Sequence, residues 1–137
     1  MDCLFCKIAH REFPAALIHE DMHTVAFLDI EPRSAGHAVV IPKRHAETLL
    51  DLHGGDVGTL FTAVRAVTGL LKNALHPDGF TIGINHGRVA GQAIPHLHVH
   101  VIPRYLGDKG GNMHTVVNNP PMESVEDIFA KIQGVKP

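Results

Sequence analysis

The segment "HLHVHVI", residues 96 to 102, constrains this chain more than any other stretch. Histidine alternates with an aliphatic residue, and period-two alternation marks a β-strand with two unlike faces. A strand over His96 to Ile102 puts His96, His98 and His100 on one face and Leu97, Val99 and Val101 on the other. The aliphatic face calls for a core to cover it. The row of imidazoles reads as the wall of a site.

Three chemistries compete for that row. Imidazole is the commonest zinc ligand, so a catalytic metal is one. Metallohydrolase sites usually add a carboxylate, and between Glu47 and Ile102 only Asp51, Asp56 and Asp78 occur, none beside the triplet. Nucleophilic catalysis is the second, because a neutral imidazole nitrogen attacks phosphorus well, and crowding several imidazoles disfavours protonation. A histidine-rich surface without chemistry is the third.

Composition narrows the classes. The chain has 137 residues, room for one domain with a single core. A net charge of −2 argues against a non-specific nucleic-acid binder. No run is long enough to span a membrane. The start, "MDCLFCKIAHREF", lacks the pattern of a secretory signal, so a cytoplasmic location is expected.

Cys3 and Cys6 are the only cysteines and form a C-x-x-C. A disulfide is out of place in a reducing cytosol. A thioredoxin-type pair follows a strand, and two residues leave no room for one. A metal knuckle or two small core residues remain.

Periodicity predicts a short helix at "LFCKIA", then strands at "AALIHED", "HTVAFLDI" and "HAVVIP", the first two joined by a turn around Asp21 and Met22. A long helix follows, with Asp56 as N-cap and Val57, Leu60, Phe61, Val64, Val67, Leu71 and Leu75 at three- and four-residue steps. "FTIGIN" is a fourth strand, "HGRVAGQAI" a glycine-containing loop, and His96 to Ile102 the fifth strand. "SVEDIFAKIQG" is a short C-terminal helix with a Ser124–Asp127 cap and a stop at Gly134. The expected fold is α+β: a five-stranded antiparallel sheet with one long helix and a short C-terminal helix.

His96-Leu97-His98-Val99-His100-Val101-Ile102 resembles the motif of the histidine-triad (HIT) superfamily. "CLFCKI", "AFLDIEPRSAGHAVVIPKRH", "GINHGRVAGQAIPHLHVHVIPR" and "GDKGGNMHTVV" are similar to family blocks in family order, covering most of the chain from Cys3 to Val117. The resemblance implies one HIT domain over residues 1–137, with a tail from about residue 118 that carries the short helix.

It also implies roles. His98 is the nucleophile and forms a nucleotidyl-histidine. His100 contacts the phosphate and leaving group, and His37 hydrogen-bonds within the triad. A nucleophilic imidazole needs its other nitrogen tied to an acceptor, here expected to be a backbone carbonyl. Cys3, Cys6, His45 and His96 match the zinc ligands of members with an N-terminal C-x-x-C, a closed set typical of structural Zn2+. Asn85, Gly91 and Gln92 match positions around the α-phosphate. Ala93 stands where many relatives carry Ser or Thr. Asp29 matches the carboxylate on the ribose hydroxyls, and Leu4, Phe5, Ile8, Phe13, Phe27 and Ile30 match the base pocket. His114 is expected at the rim at most, and His86 and Arg104 are expected to serve structure alone.

The implied activity is hydrolysis of nucleoside 5′-phosphoramidates or related AMP conjugates. A dinucleoside polyphosphate hydrolase or a nucleotidyltransferase on the same fold is the alternative. A nucleotide-binding adaptor with vestigial catalysis is an alternative of another class. The expected partners are an AMP-like purine nucleotide and a second copy of the chain, packed through the long helix and fifth strand.

Overall fold

The computed structural model describes residues 2–135. Met1, Lys136 and Pro137, at the ends of the expected 1–137 unit, lie outside the described residues. Helix α1 spans Leu4–Ala9. Strands β1 (Leu17–Glu20), β2 (Thr24–Leu28) and β3 (Ala38–Pro42) follow, then helix α2 (Gly54–Leu75), β4 (Gly79–Gly83), β5 (Val99–Arg104) and helix α3 (Val125–Gln133). The strands make one antiparallel sheet in the order β1-β2-β3-β5-β4. This is the expected α+β class.

Strand alternation sends side chains into two cores. Ala26, Ala38, Val40, Leu97, Val99 and Val101 pack against Leu60, Ala63, Val64, Val67 and Leu71 of α2. Val25, Phe27, Val39 and Ile41 point the other way, onto Phe5, Ile8 and Ala9 of α1. β3 is buried throughout because both faces are covered. Each large apolar side chain so buried contributes about 1.5–3 kcal/mol. The β1–β2 turn is held by Asp21, whose carboxylate accepts from the backbone N–H groups of His23 and Thr24 and from the Thr24 hydroxyl.

Three expectations change. Helix α2 starts at Gly54 after His53, not at Asp56. Asp56 instead sits in the first turn, where the exposed N–H groups favour a carboxylate without a capping bond. The fifth strand runs Val99–Arg104 rather than His96 to Ile102. The Leu97 N–H is taken by the Ala46 carbonyl at 2.7 Å, outside the ladder, so His96, Leu97 and His98 form an ordered lead-in to the strand. Finally, β5 lies between β3 and β4, and β4 is the sheet edge. A strand paired on both sides has no free edge to offer a second copy.

The turn ahead of β3 needs a glycine. Gly36 has φ +89°, and a Cβ there would collide with Leu75 and crowd Pro103. It delivers His37 to the sheet immediately afterwards. Among the described residues no helix is long and apolar enough to cross a membrane.

Candidate active site

The face of the sheet opposite α2 carries a cavity of ≈ 710 Å³ between α1, β2, β5 and the loop after β4. Leu4, Phe5, Ile8, Phe13, Phe27 and Ile30 line its apolar end. The Phe5 and Phe27 rings meet edge-to-face at 5.3 Å. Asp29, His37, Asn85, His98 and His100 supply its polar wall, with Gly91 and Ala93 on the loop side. Gly83 pairs with His100 across the sheet, and a Cβ at Gly83 would meet nothing within 4 Å. The space beside His100 is therefore open.

The three triad rings have different surroundings. His98 is buried, and its Nδ1 is 2.7 Å from the His96 carbonyl oxygen. A carbonyl only accepts, so His98 carries its hydrogen on Nδ1. Nε2 is left with its lone pair, the tautomer a nucleophile requires.

His100 is set by a second chain of bonds. The Arg33 backbone N–H, which can only donate, lies 3.1 Å from His37 Nδ1. His37 therefore carries its hydrogen on Nε2 and donates it to His100 Nδ1 at 2.9 Å. That places the remaining hydrogen of His100 on Nε2. Burial, then the neighbouring His98 and His37, pushes the His100 pKa down to about 4. Burial also lowers His37, against the pull of Asp29 at 3.5 Å. Both rings are neutral at pH 7, and His100 is poised to donate a hydrogen bond.

His96 is fully buried and turns away from the cavity. Its Nε2 is 2.8 Å from the Pro42 carbonyl, which frees the lone pair on Nδ1. Around that nitrogen stand Cys3 Sγ at 3.3 Å, Cys6 Sγ at 3.5 Å and His45 Nδ1 at 3.2 Å, with Cys6 Sγ 3.4 Å from His45 Nδ1. Tetrahedral zinc bonds of ~2.0–2.3 Å imply edges of about 3.3 Å between nitrogens and about 3.6 Å between nitrogen and sulfur. All four donor atoms lie within 4.8 Å of one another, so the set could hold one metal ion. Burial and the adjacent Cys3 push the Cys6 thiol up to about 11; a cation between the sulfurs would reverse that. Phe5, on the helix between the two cysteines, stacks edge-on against both His96 and His98.

Gln92 has different work from that expected. Its Oε1 accepts from the Gly87 N–H, and its Nε2 donates to the Glu47 and Ile94 carbonyls. The amide is consumed in bracing the loop, because a glycine-rich turn leaves backbone groups that need partners. Gly91 holds φ +106°, a conformation favouring glycine. His114 does not line the cavity; Met113 and Val116 do. His86 is exposed, and Arg104 is bound to Asp108, Thr81 and Gly111. Arg33, Thr81 and Gly83 are lining residues that sequence reasoning missed. The position of Arg33 in the turn before His37 was the available signal.

Comparison with known proteins agrees with this architecture. The family model described as "HIT domain" matches residues 10–107. An uncharacterized HIT-like protein of Methanocaldococcus jannaschii is 45% identical over 106 residues, covering 77% of this chain and 81% of the relative. An adenosine 5′-monophosphoramidase of Schizosaccharomyces pombe is 38% identical over 104 residues, covering 76% and 75%. A crystal structure of a HIT family member from Bacillus subtilis superposes with a TM-score of 0.87 at 32% identity, covering 100% of this chain and 99% of that one.

Proposed function

This chain belongs to the HIT domain family, and from that premise we propose that it hydrolyses nucleoside 5′-phosphoramidates or related AMP conjugates through a nucleotidyl-histidine on His98. The observation that carries the reading is the forced tautomer of His98, a cavity-lining ring whose Nδ1 is tied to a carbonyl so that Nε2 keeps its lone pair. The phosphoramidase name of the fission-yeast relative supports the same bond class.

The apolar end of the cavity accepts a purine, and Asp29 offers two acceptor oxygens to ribose hydroxyls. The α-phosphate lies between His98, Asn85 and the Gly91–Ala93 backbone. Nε2 of His98 forms a bond to phosphorus as the bond to the leaving atom breaks, and the bonding pair departs on that atom. His100 Nε2–H hydrogen-bonds the leaving atom while solvent supplies its proton. Water then attacks phosphorus, returns a proton to solvent, and releases the nucleotide and the His98 ring. Ala93 contributes no hydroxyl, so backbone and imidazole donors carry the charge stabilisation.

Cys3, Cys6, His45 and His96 are the residues that would hold zinc. Bound there, Zn2+ supplies structural cross-linking, and the chain's own groups perform the displacement. The partner proposed is a second copy. Val57, Phe61 and Leu75 leave apolar surface exposed on α2, and Ile82 is exposed on edge strand β4.

Rapid mixing with an adenosine phosphoramidate, acid-free quenching and intact mass analysis test the reading. The expected result is a transient adduct of one AMP on the native chain and none on His98→Ala. An adduct that persists in His98→Ala, or turnover without one, overturns it. Nucleotide binding with neither adduct nor turnover favours the adaptor.

A further inference from the structure

Past His100 the main cavity opens into a second one of ≈ 290 Å³. Arg33, Thr81, Ile102, Met113 and Val116 border both. Ile102 and Arg104 follow His100 at two-residue steps on β5. The second cavity therefore lies beyond His100, away from His98 and the aromatic end. In-line displacement puts the departing atom opposite the attacking nitrogen, which directs the leaving group toward this space.

The two arginines there are not equivalent. Arg104 is bound through all three nitrogens, with Nε and Nη2 on the Asp108 carboxylate at 2.7 and 3.0 Å and Nη1 on Thr81 Oγ1 and the Gly111 carbonyl at 3.0 and 2.7 Å. Asp108 cancels its charge and is, among the described residues, the only carboxylate lining this cavity. Arg33 is different. The ion pairs of lysines and arginines among the described residues involve Lys7, Arg11, Lys43, Arg44, Arg104 and Lys131. Arg33 is not among them, so among the described residues its guanidinium forms no ion pair within 4.0 Å and is free to meet a ligand anion. Thr81 Oγ1 accepts from Arg104, which leaves its hydroxyl hydrogen free for a ligand. The backbone of Arg33 also heads the His37–His100 chain, so its side chain starts beside His37, the ring that orients His100.

We propose that this second cavity is the leaving-group subsite and that Arg33 selects leaving groups bearing an oxyanion, a carboxylate or a sulfur oxyanion. The proposal rests on the nucleotidyl-transfer reading above and narrows its substrate class. A guanidinium donates two parallel N–H bonds to such a group, a fork that matches a carboxylate or sulfonate. No further bond changes are involved. The phosphorus–nitrogen pair leaves on nitrogen, solvent supplies the proton, and the distal anion keeps its charge against Arg33.

Three conjugates of AMP joined through a phosphorus–nitrogen bond test it: glycine, glycinamide and taurine. The native chain is expected to favour glycine or taurine over glycinamide by about tenfold in kcat/KM, chiefly through KM. Arg33→Ala should bring that ratio to about one, and Arg33→Lys should keep a few-fold preference. Preference for taurine over glycine assigns a sulfur oxyanion as the ligand, and the reverse assigns a carboxylate. Equal turnover of all three by the native chain, or a ratio unchanged in Arg33→Ala, overturns the proposal alone. No turnover of any of them with no adduct on His98 removes the nucleotidyl-transfer reading and this proposal with it.

Discussion

His37 Nε2 sits 2.9 Å from His100 Nδ1, and the direction of that bond is dictated four residues earlier by the backbone N–H of Arg33. His37 is thus a positioning residue, acting on the substrate only through the tautomer of His100. His37→Ala should lower kcat by about ten- to a hundredfold with KM little changed, as expected when a transition-state donor is misoriented. His37→Gln, whose amide can accept at one end and donate at the other, should recover part of the loss. A KM effect equal to the kcat effect would contradict the assignment.

The four-donor cluster makes a metal prediction. Elemental analysis of untagged protein should find about one zinc per chain. Cys3→Ser and Cys6→Ser should each release it and lower Tm by about 10 °C, the scale of a few kcal/mol in a domain this size. Nucleotide affinity should fall as well, because Phe5 is carried on the short helix that Cys3 caps and Cys6 belongs to. Full metal content in both variants would refute the ligand set.

Acid should destabilise the fold in a defined window. The His100 ring, facing His98, His37 and Asp29, titrates near 4 when folded against an ordinary 6.5. Between those values the unfolded chain binds a proton that the folded ring refuses. Stability is then complete above about pH 6.5, declines as pH falls toward 4, and gains no further penalty from this group below that. Tm measured from pH 7.5 to 4.5 should drop, and the drop should be smaller in His100→Asn. Identical slopes in the two proteins would show that other groups govern the transition.

For assembly, the native chain should sediment as a dimer. Phe61→Asp, placing a charge on the exposed α2 stripe, should shift it to monomer without loss of helix content. A native monomer at micromolar concentration would dispose of the pairing.

The sequence made the chemistry more legible than the connections. Alternation placed Leu97, Val99 and Val101 in the α2 core, and helical spacing found α1 and α2 almost to their ends. The carbonyl expected behind His98 is that of His96. What escaped was set by contacts distant along the chain. Leu97 leaves the ladder because Ala46, 51 residues away, claims its N–H. β5 became an inner strand because β4, which precedes it by one loop, pairs with its far side. Gln92 turned inward because Glu47 offered a carbonyl. No local pattern encodes such choices, which depend on which partners tertiary packing brings within reach.

Gly83, opposite His100, has a further consequence. Its backbone is not in the left-handed region, and a side chain there would meet open space. Most residues would fit the strand there, and several suit it better than glycine. The position can therefore vary in size and polarity at the edge of the reacting centre without touching either core. Substrate range could drift through this one position while the folding problem stays unchanged.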